Sequence, residues 1–166
     1  MKRIDEIIAS LNLSPHPEGG YYRETYRSGG SISENNLPPD IKGERNYSTA
    51  IYFLLTSDNF SAFHKIKQDE IWHFYEGSPI EIHIISEKGN YSKAVLGLNL
   101  SEGEAPQIVI PANNWFAANV VKSNSYTLVG CTVAPGFDFN DFELGERKKL
   151  ISQFPRHEKI INKFTK

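Results

Sequence analysis

From residue 48 to residue 133 the chain is cut into short apolar segments by turn residues. This punctuation limits the fold more than any other feature of the sequence. The segments run roughly Ser48 to Thr56, Ser61 to Ile66, Glu70 to Tyr75, Ile80 to Ser86, Ser92 to Leu98, Gln107 to Ile110, Trp115 to Val121 and Tyr126 to Val133. Asp58-Asn59, Lys67 to Asp69, Gly77 to Pro79, Gly89-Asn90 and Gly103 stand between them. Regular short strands with such turns predict an all-β sandwich or closed barrel. Tyr21 to Arg27, alternating and rich in rings, adds a further strand.

The flanks read differently. Ile4, Ile7, Ile8 and Leu11 recur at helical spacing, which predicts an amphipathic helix over residues 2 to about 12. From Asp141 onward Leu144, Leu150, Ile151 and Phe154 form one helical stretch, Pro155 breaks it, and Ile160, Ile161 and Phe164 form another. Ser28 to Glu44 is a long polar loop, and loops of that length often serve as lids or binding elements. No repeat or second domain interrupts residues 1–166, so one domain is expected, with a barrel core about 20–135.

Charge and composition exclude several functions. A formal net charge of -2 gives no long-range attraction to nucleic acid. No apolar run approaches a membrane span, and the first residues lack the apolar stretch of a signal peptide, so a cytoplasmic location is expected. The lone cysteine, Cys131, cannot form an internal disulfide and sits in an apolar run, which predicts a buried thiol. No nucleophile elbow or phosphate loop occurs. Aromatic residues make up 12% of the chain, enough to line a pocket with rings.

The chemistry-bearing stretch is His64 to Gly77. With a strand through residue 66, a turn, and a strand from 70, Ala62, His64 and Ile66 share one face while Glu70, Trp72 and Phe74 share the next. Antiparallel pairing across the three-residue turn would bring His64 beside Glu70 inside the barrel. His73 has the opposite parity to Glu70 and should point away. His16, between Pro15 and Pro17, reads as part of a rigid turn that could reach the pocket rim.

This stretch resembles the first cupin motif, a strand with His-x-His followed by Glu and then Gly at set spacings. His64, Glu70 and Gly77 match, and Ile66 stands at the second His position. The second cupin motif would fall on Pro111, Asn113 and Phe116. Its proline is kept, its glycine is Asn113, and its metal-binding histidine is Phe116. Over residues 4 to 165 the resemblance extends to one branch, the fifth cupin family, a domain of unknown function. The blocks His16 to Tyr26, Ser48 to Leu55, Phe63 to His83 and Val129 to Leu144 carry it. It implies a double-stranded β-helix (jelly-roll) barrel, usually a homodimer, similar in fold to the dTDP-sugar epimerase cupins, which work without metal.

A cupin metal site uses three His and one Glu, of which only His64 and Glu70 are present. No cofactor is therefore expected. A divalent metal on that reduced set, giving a metalloenzyme, is one alternative. The leading reading is a small-molecule isomerase, epimerase or lyase using His64 and Glu70 for proton transfer. Tyr22, Tyr52 or Tyr126 would supply a hydroxyl, Arg23 would clamp a phosphate or carboxylate, and Trp72, Phe74 and Phe116 would wall the pocket. A non-catalytic ligand-binding or sensing barrel is another alternative. The plainest is that His64 and Glu70 merely satisfy each other in the core.

Overall fold

A computed structural model describes residues 2–166. Helix α1 (Lys2–Leu11) leads into β1 (Ser14–Pro15) and β2 (Tyr21–Arg27). The long loop holds the short strands β3 (Ser31–Ile32) and β4 (Arg45–Asn46). Then follow β5 (Thr49–Thr56), β6 (Ser61–Lys65), β7 (Glu70–Gly77), β8 (Ile80–Ile85), β9 (Tyr91–Leu96), β10 (Gln107–Ile110), β11 (Trp115–Val120) and β12 (Tyr126–Val133). The chain closes with β13 (Glu143–Leu144), α2 (Arg147–Gln153) and α3 (Glu158–Lys163). No helix among the described residues is long and apolar enough to cross a membrane.

Two sheets face each other as a jelly roll. One has the order β1-β2-β5-β12-β7-β10 and the other β13-β6-β11-β8-β9. Because side chains alternate along a strand, each sheet sends one row inward. Phe53, Leu55, Trp72, Ile82, Phe116 and Val129 meet there and form the main core. The outward rows are covered at the two ends. Ile7 of α1 and Leu13 pack with Leu54 and Leu128 on the six-stranded sheet. Leu150, Phe154, Ile161 and Phe164 from the C-terminal segment pack on Phe63, Ile85 and Trp115 of the other.

The expected hairpin between His64 and Glu70 is not formed. β6 belongs to the five-stranded sheet and β7 to the six-stranded one. Lys67 to Asp69 carries the chain from one wall to the other, so His64 and Glu70 approach from opposite sheets. β6 pairs instead with β11 and β13, and β7 with β10 and β12. Two-residue alternation and turn signals mark strands, but pairing partners depend on which sheet closes over which.

Candidate functional site

One end of the barrel opens into a cavity of about 500 Å³. Its mouth carries Asn12, Ser14 and the Glu24–Arg27 pair, its walls are ringed by Tyr22, Phe53, Phe139 and Phe142, and His16, Glu18, His64, Glu70, Trp72 and Cys131 also line it. The long loop over residues 28–44 supplies none of the lining, so the expectation of a lid there is not met. The loop is held aside by Arg45, whose guanidinium donates to both oxygens of Asp141 at 2.7 and 2.8 Å. The cover is supplied by the segment after β12, through Phe137, Phe139 and Phe142.

The turn before β2 brings two ionisable residues into this space. His16 N donates to Gly20 O, and Gly19 N donates back to His16 O, closing a tight loop. Gly19 and Gly20 take φ of 125° and 71°, a region that L side chains disfavour. A Cβ on Gly19 would also strike the Phe60 carbonyl. Ala62 N donates to Glu18 O and pins the loop to β6. With its backbone fixed there, Glu18 turns its carboxylate inward.

Glu18 takes the role that the sequence suggested for Glu70. Glu18 Oε2 lies 3.0 Å from His64 Nε2, and Ser61 Oγ donates to Oε1 at 2.7 Å. Burial alone would raise this carboxyl, but the His64 charge and hydrogen bond, with His16 and Ser61, outweigh it and hold it below its ordinary value. The His64 ring is bound at both nitrogens, because Nδ1 lies 2.7 Å from Ala62 O, which can only accept. Burial works to lower the imidazole, yet Glu18 and the Ala62 carbonyl leave it raised. His64 is thus an imidazolium with both protons engaged by the protein, and no lone pair is left on the ring.

Glu70 sits opposite in a drier setting. Trp72 Nε1 donates to its Oε1 at 3.0 Å. Burial pushes its carboxyl up to about 7, against the pull of the nearby His64 charge. The Cys131 thiol beside it is buried, and burial raises it well above its ordinary value, so it stays protonated.

His16 completes the group. Its Nδ1 accepts from Glu18 N at 3.4 Å. The same nitrogen lies 3.4 Å from Glu18 Oε2, but that oxygen already takes the His64 proton and the amide can only donate. Burial lowers His16 despite the Glu18 charge, which keeps the ring neutral. Tyr22 packs edge-on at 4.5 Å and Phe139 stacks over it at 6.1 Å.

The other sequence-derived positions divide. Tyr22 and Trp72 line the cavity. Arg23 lies on its rim, but its pairing partner is Tyr52 on the outward row, and its Nη1 donates to Leu11 O. Tyr52 and Tyr126 pack with the α1 cluster outside the barrel, and the Tyr126 hydroxyl donates to Glu76. Strand alternation sends them away from the cavity. Phe74 packs against the main core and Phe116 lies behind His64, with ring centroids 4.0 Å apart; neither lines the cavity. His73 points outward to Thr132 and Gln107, in keeping with its parity. Glu18 was not singled out in the sequence. Its signal was the Gly19-Gly20 pair, which lets a turn fold back against a strand.

The donor set does not fit a cupin metal. His64 has no free nitrogen, Ile66 and Phe116 replace two ligands, and no cluster of three or more metal-ligating side chains occurs among the described residues.

A jelly-roll barrel with inward-facing ionisable groups at one mouth defines a cupin. The chain belongs to the cupin superfamily family described as DUF985, whose model matches residues 5–145. It is 29% identical over 147 residues to the uncharacterized yeast protein YML079W, covering 83% of this chain and 73% of that one. Among solved structures, protein SO0799 from Shewanella oneidensis is 37% identical, covering 98% of this chain and 96% of that chain, with a TM-score of 0.87. A hypothetical protein from Leishmania major is 32% identical, covering 97% of each chain, with a TM-score of 0.88. Oxalate decarboxylase from Bacillus subtilis matches at 14% identity and a TM-score of 0.56 over 95% of this chain and 37% of that one, a likeness of fold alone.

Proposed function

We propose that the cavity binds a small organic molecule and moves a proton on it, as an isomerase, epimerase or lyase does, without a metal. The observation that carries this reading is Glu70. It is a buried carboxyl on the cavity wall, brought to about 7, where it can both take and return a proton at neutral pH. The fixed His64–Glu18 ion pair supplies a charged wall beside it. This revises the residue pair suggested by the sequence: Glu70 transfers the proton and His64 holds Glu18.

The test is loss of carbon-bound protons to deuterated water, read by NMR, across a panel of small aldehydes, ketones, keto acids and sugars. Wild type should exchange at least one member and Glu70→Gln should lose that exchange. Equal exchange in both proteins would sink the proposal. A non-catalytic ligand-binding barrel is the second reading. It is favoured by the one histidine expected to act as base having no free nitrogen.

We further propose that the chain pairs with a second copy through the outward face of the six-stranded sheet. Tyr26, Tyr75 and Val109 lie on that face and are about half exposed.

A further inference from the structure

We propose that His16 is a second catalytic residue of this cavity. Its neutral imidazole presents Nε2–H to the oxygen of a carbonyl substrate while Glu70 exchanges the proton on the adjacent carbon. The inference rests on the proton-transfer reading above and names its substrate class, a compact carbonyl compound with a flat or unsaturated body.

Three features of His16 lead to this role. Its Nδ1 accepts the Glu18 amide, so the ring proton lies on Nε2. That proton has no partner in the protein among the described residues, yet the nitrogen is not sealed in the core. The side chain itself is only 7% exposed and is gripped by Tyr22, Phe53, Phe139 and Phe142, so it cannot swing away to water. A donor on the cavity wall, held by rings and without a partner among the described residues, is left to a ligand to satisfy.

Neutrality suits the task. An imidazolium would give its proton outright, whereas a neutral imidazole donates a hydrogen bond to an oxygen that gains charge. The remaining groups divide in the same way. His64 and Glu18 are locked to each other, Cys131 stays a thiol, and Glu70 alone titrates near neutrality. The carbon–hydrogen bond next to the carbonyl breaks, and its proton passes to the Glu70 carboxylate. The bonding pair forms the carbon–carbon double bond of an enolate, whose oxygen takes the His16 hydrogen bond. Return of the proton from Glu70 to the same carbon, or, where that carbon bears a hydroxyl whose proton has passed to the enolate oxygen, to the former carbonyl carbon, restores a carbonyl compound and leaves the protein unchanged. The flat walls formed by Tyr22, Phe139 and Trp72 fit a planar enolate.

The test uses an oxyanion of fixed structure, 4-nitrophenolate, with the full chain labelled with 15N. Ring nitrogen shifts should show a protonated Nε2 and a bare Nδ1 on His16, and the phenolate should move the Nε2 signal. His16→Phe should weaken phenolate binding about tenfold or more, the scale of a lost hydrogen bond to a charged group. His16→Gln, which keeps an N–H donor, should recover much of it. A proton on Nδ1, a wild type that does not bind the phenolate, or a His16→Phe variant that binds as well as wild type would each overturn the role. Because this assay reads binding and not turnover, its failure leaves proton exchange at Glu70 standing, and loss of exchange leaves the oxyanion result standing.

Discussion

His64 donates to Glu18 across 3.0 Å, joining strand β6 to the turn before β2. This ion pair is buried, with side chains 3% and 6% exposed, and so it behaves unlike a surface bridge. It holds the turn that carries His16 and organises the cavity without being free to react.

Removing one partner should therefore cost stability first. His64→Ala leaves the Glu18 carboxylate buried and unpaired, and about 3–5 kcal/mol of unfolding free energy should be lost. A double change with Glu18→Gln should cost less than the sum of the two single changes. Urea denaturation of the four proteins measures this, and additive losses would show that the two groups do not interact.

The pair also sets two pH limits. Glu18 is depressed, so its contribution is present above 4.5 and is lost as pH falls through its folded value. His64 is raised, so its contribution is present below 6.5 and is lost as pH rises through its folded value. Glu18→Gln should flatten the acid limb of a stability profile. An acid limb identical to wild type would contradict the assignment.

Glu70 works in the opposite direction to Glu18. Its folded carboxyl lies near 7 against an ordinary 4.5, so the folded state holds the proton more tightly than the unfolded chain. Its contribution is full below 4.5, declines up to about 7, and is a constant penalty above, about 3 kcal/mol in all. Glu70→Gln cannot ionise and should gain about that much on wild type across this range. Parallel profiles would mean that the carboxyl does not titrate there.

Trp72 should report the same event. Its indole donates to Glu70, so its emission should change with a midpoint near 7 in a Trp115→Phe background and lose that midpoint in Glu70→Gln. An emission that stays flat with pH in the Trp115→Phe protein would separate the indole from the titration.

Arg45 and Asp141 anchor the aromatic cover from outside. Their bidentate pair is 4% and 0% exposed, and Gln68 Nε2 donates to the same carboxylate at 2.6 Å. Asp141→Ala should lose about 3–5 kcal/mol and should loosen the segment bearing Phe139 and Phe142. Faster amide hydrogen exchange confined to residues 137–142 and the Arg45 strand is the expected signature. Unchanged exchange there would remove the anchoring role.

Much of this protein was legible in its sequence because short-range physics writes it there. Turn residues and alternation marked the strands from Thr49 to Val133, and apolar spacing marked α1 and the C-terminal helices. Alternation also placed His64, Glu70 and Trp72 inward and His73 outward, since a strand has only two faces.

What alternation cannot give is which strand lies across the barrel. Glu70 and His64 are near in sequence but stand on opposite sheets, while Glu18, far away along the chain, is brought to His64 by a turn that two glycines permit. The long loop faced elsewhere for the same reason: the Arg45–Asp141 pair drew it to the outside. The sequence by itself determined a cupin barrel and the inward strand residues His64 and Glu70. Only the closed tertiary structure decided their partners, because charge pairing and burial depend on contacts between segments whose separation along the chain says nothing of their distance in space.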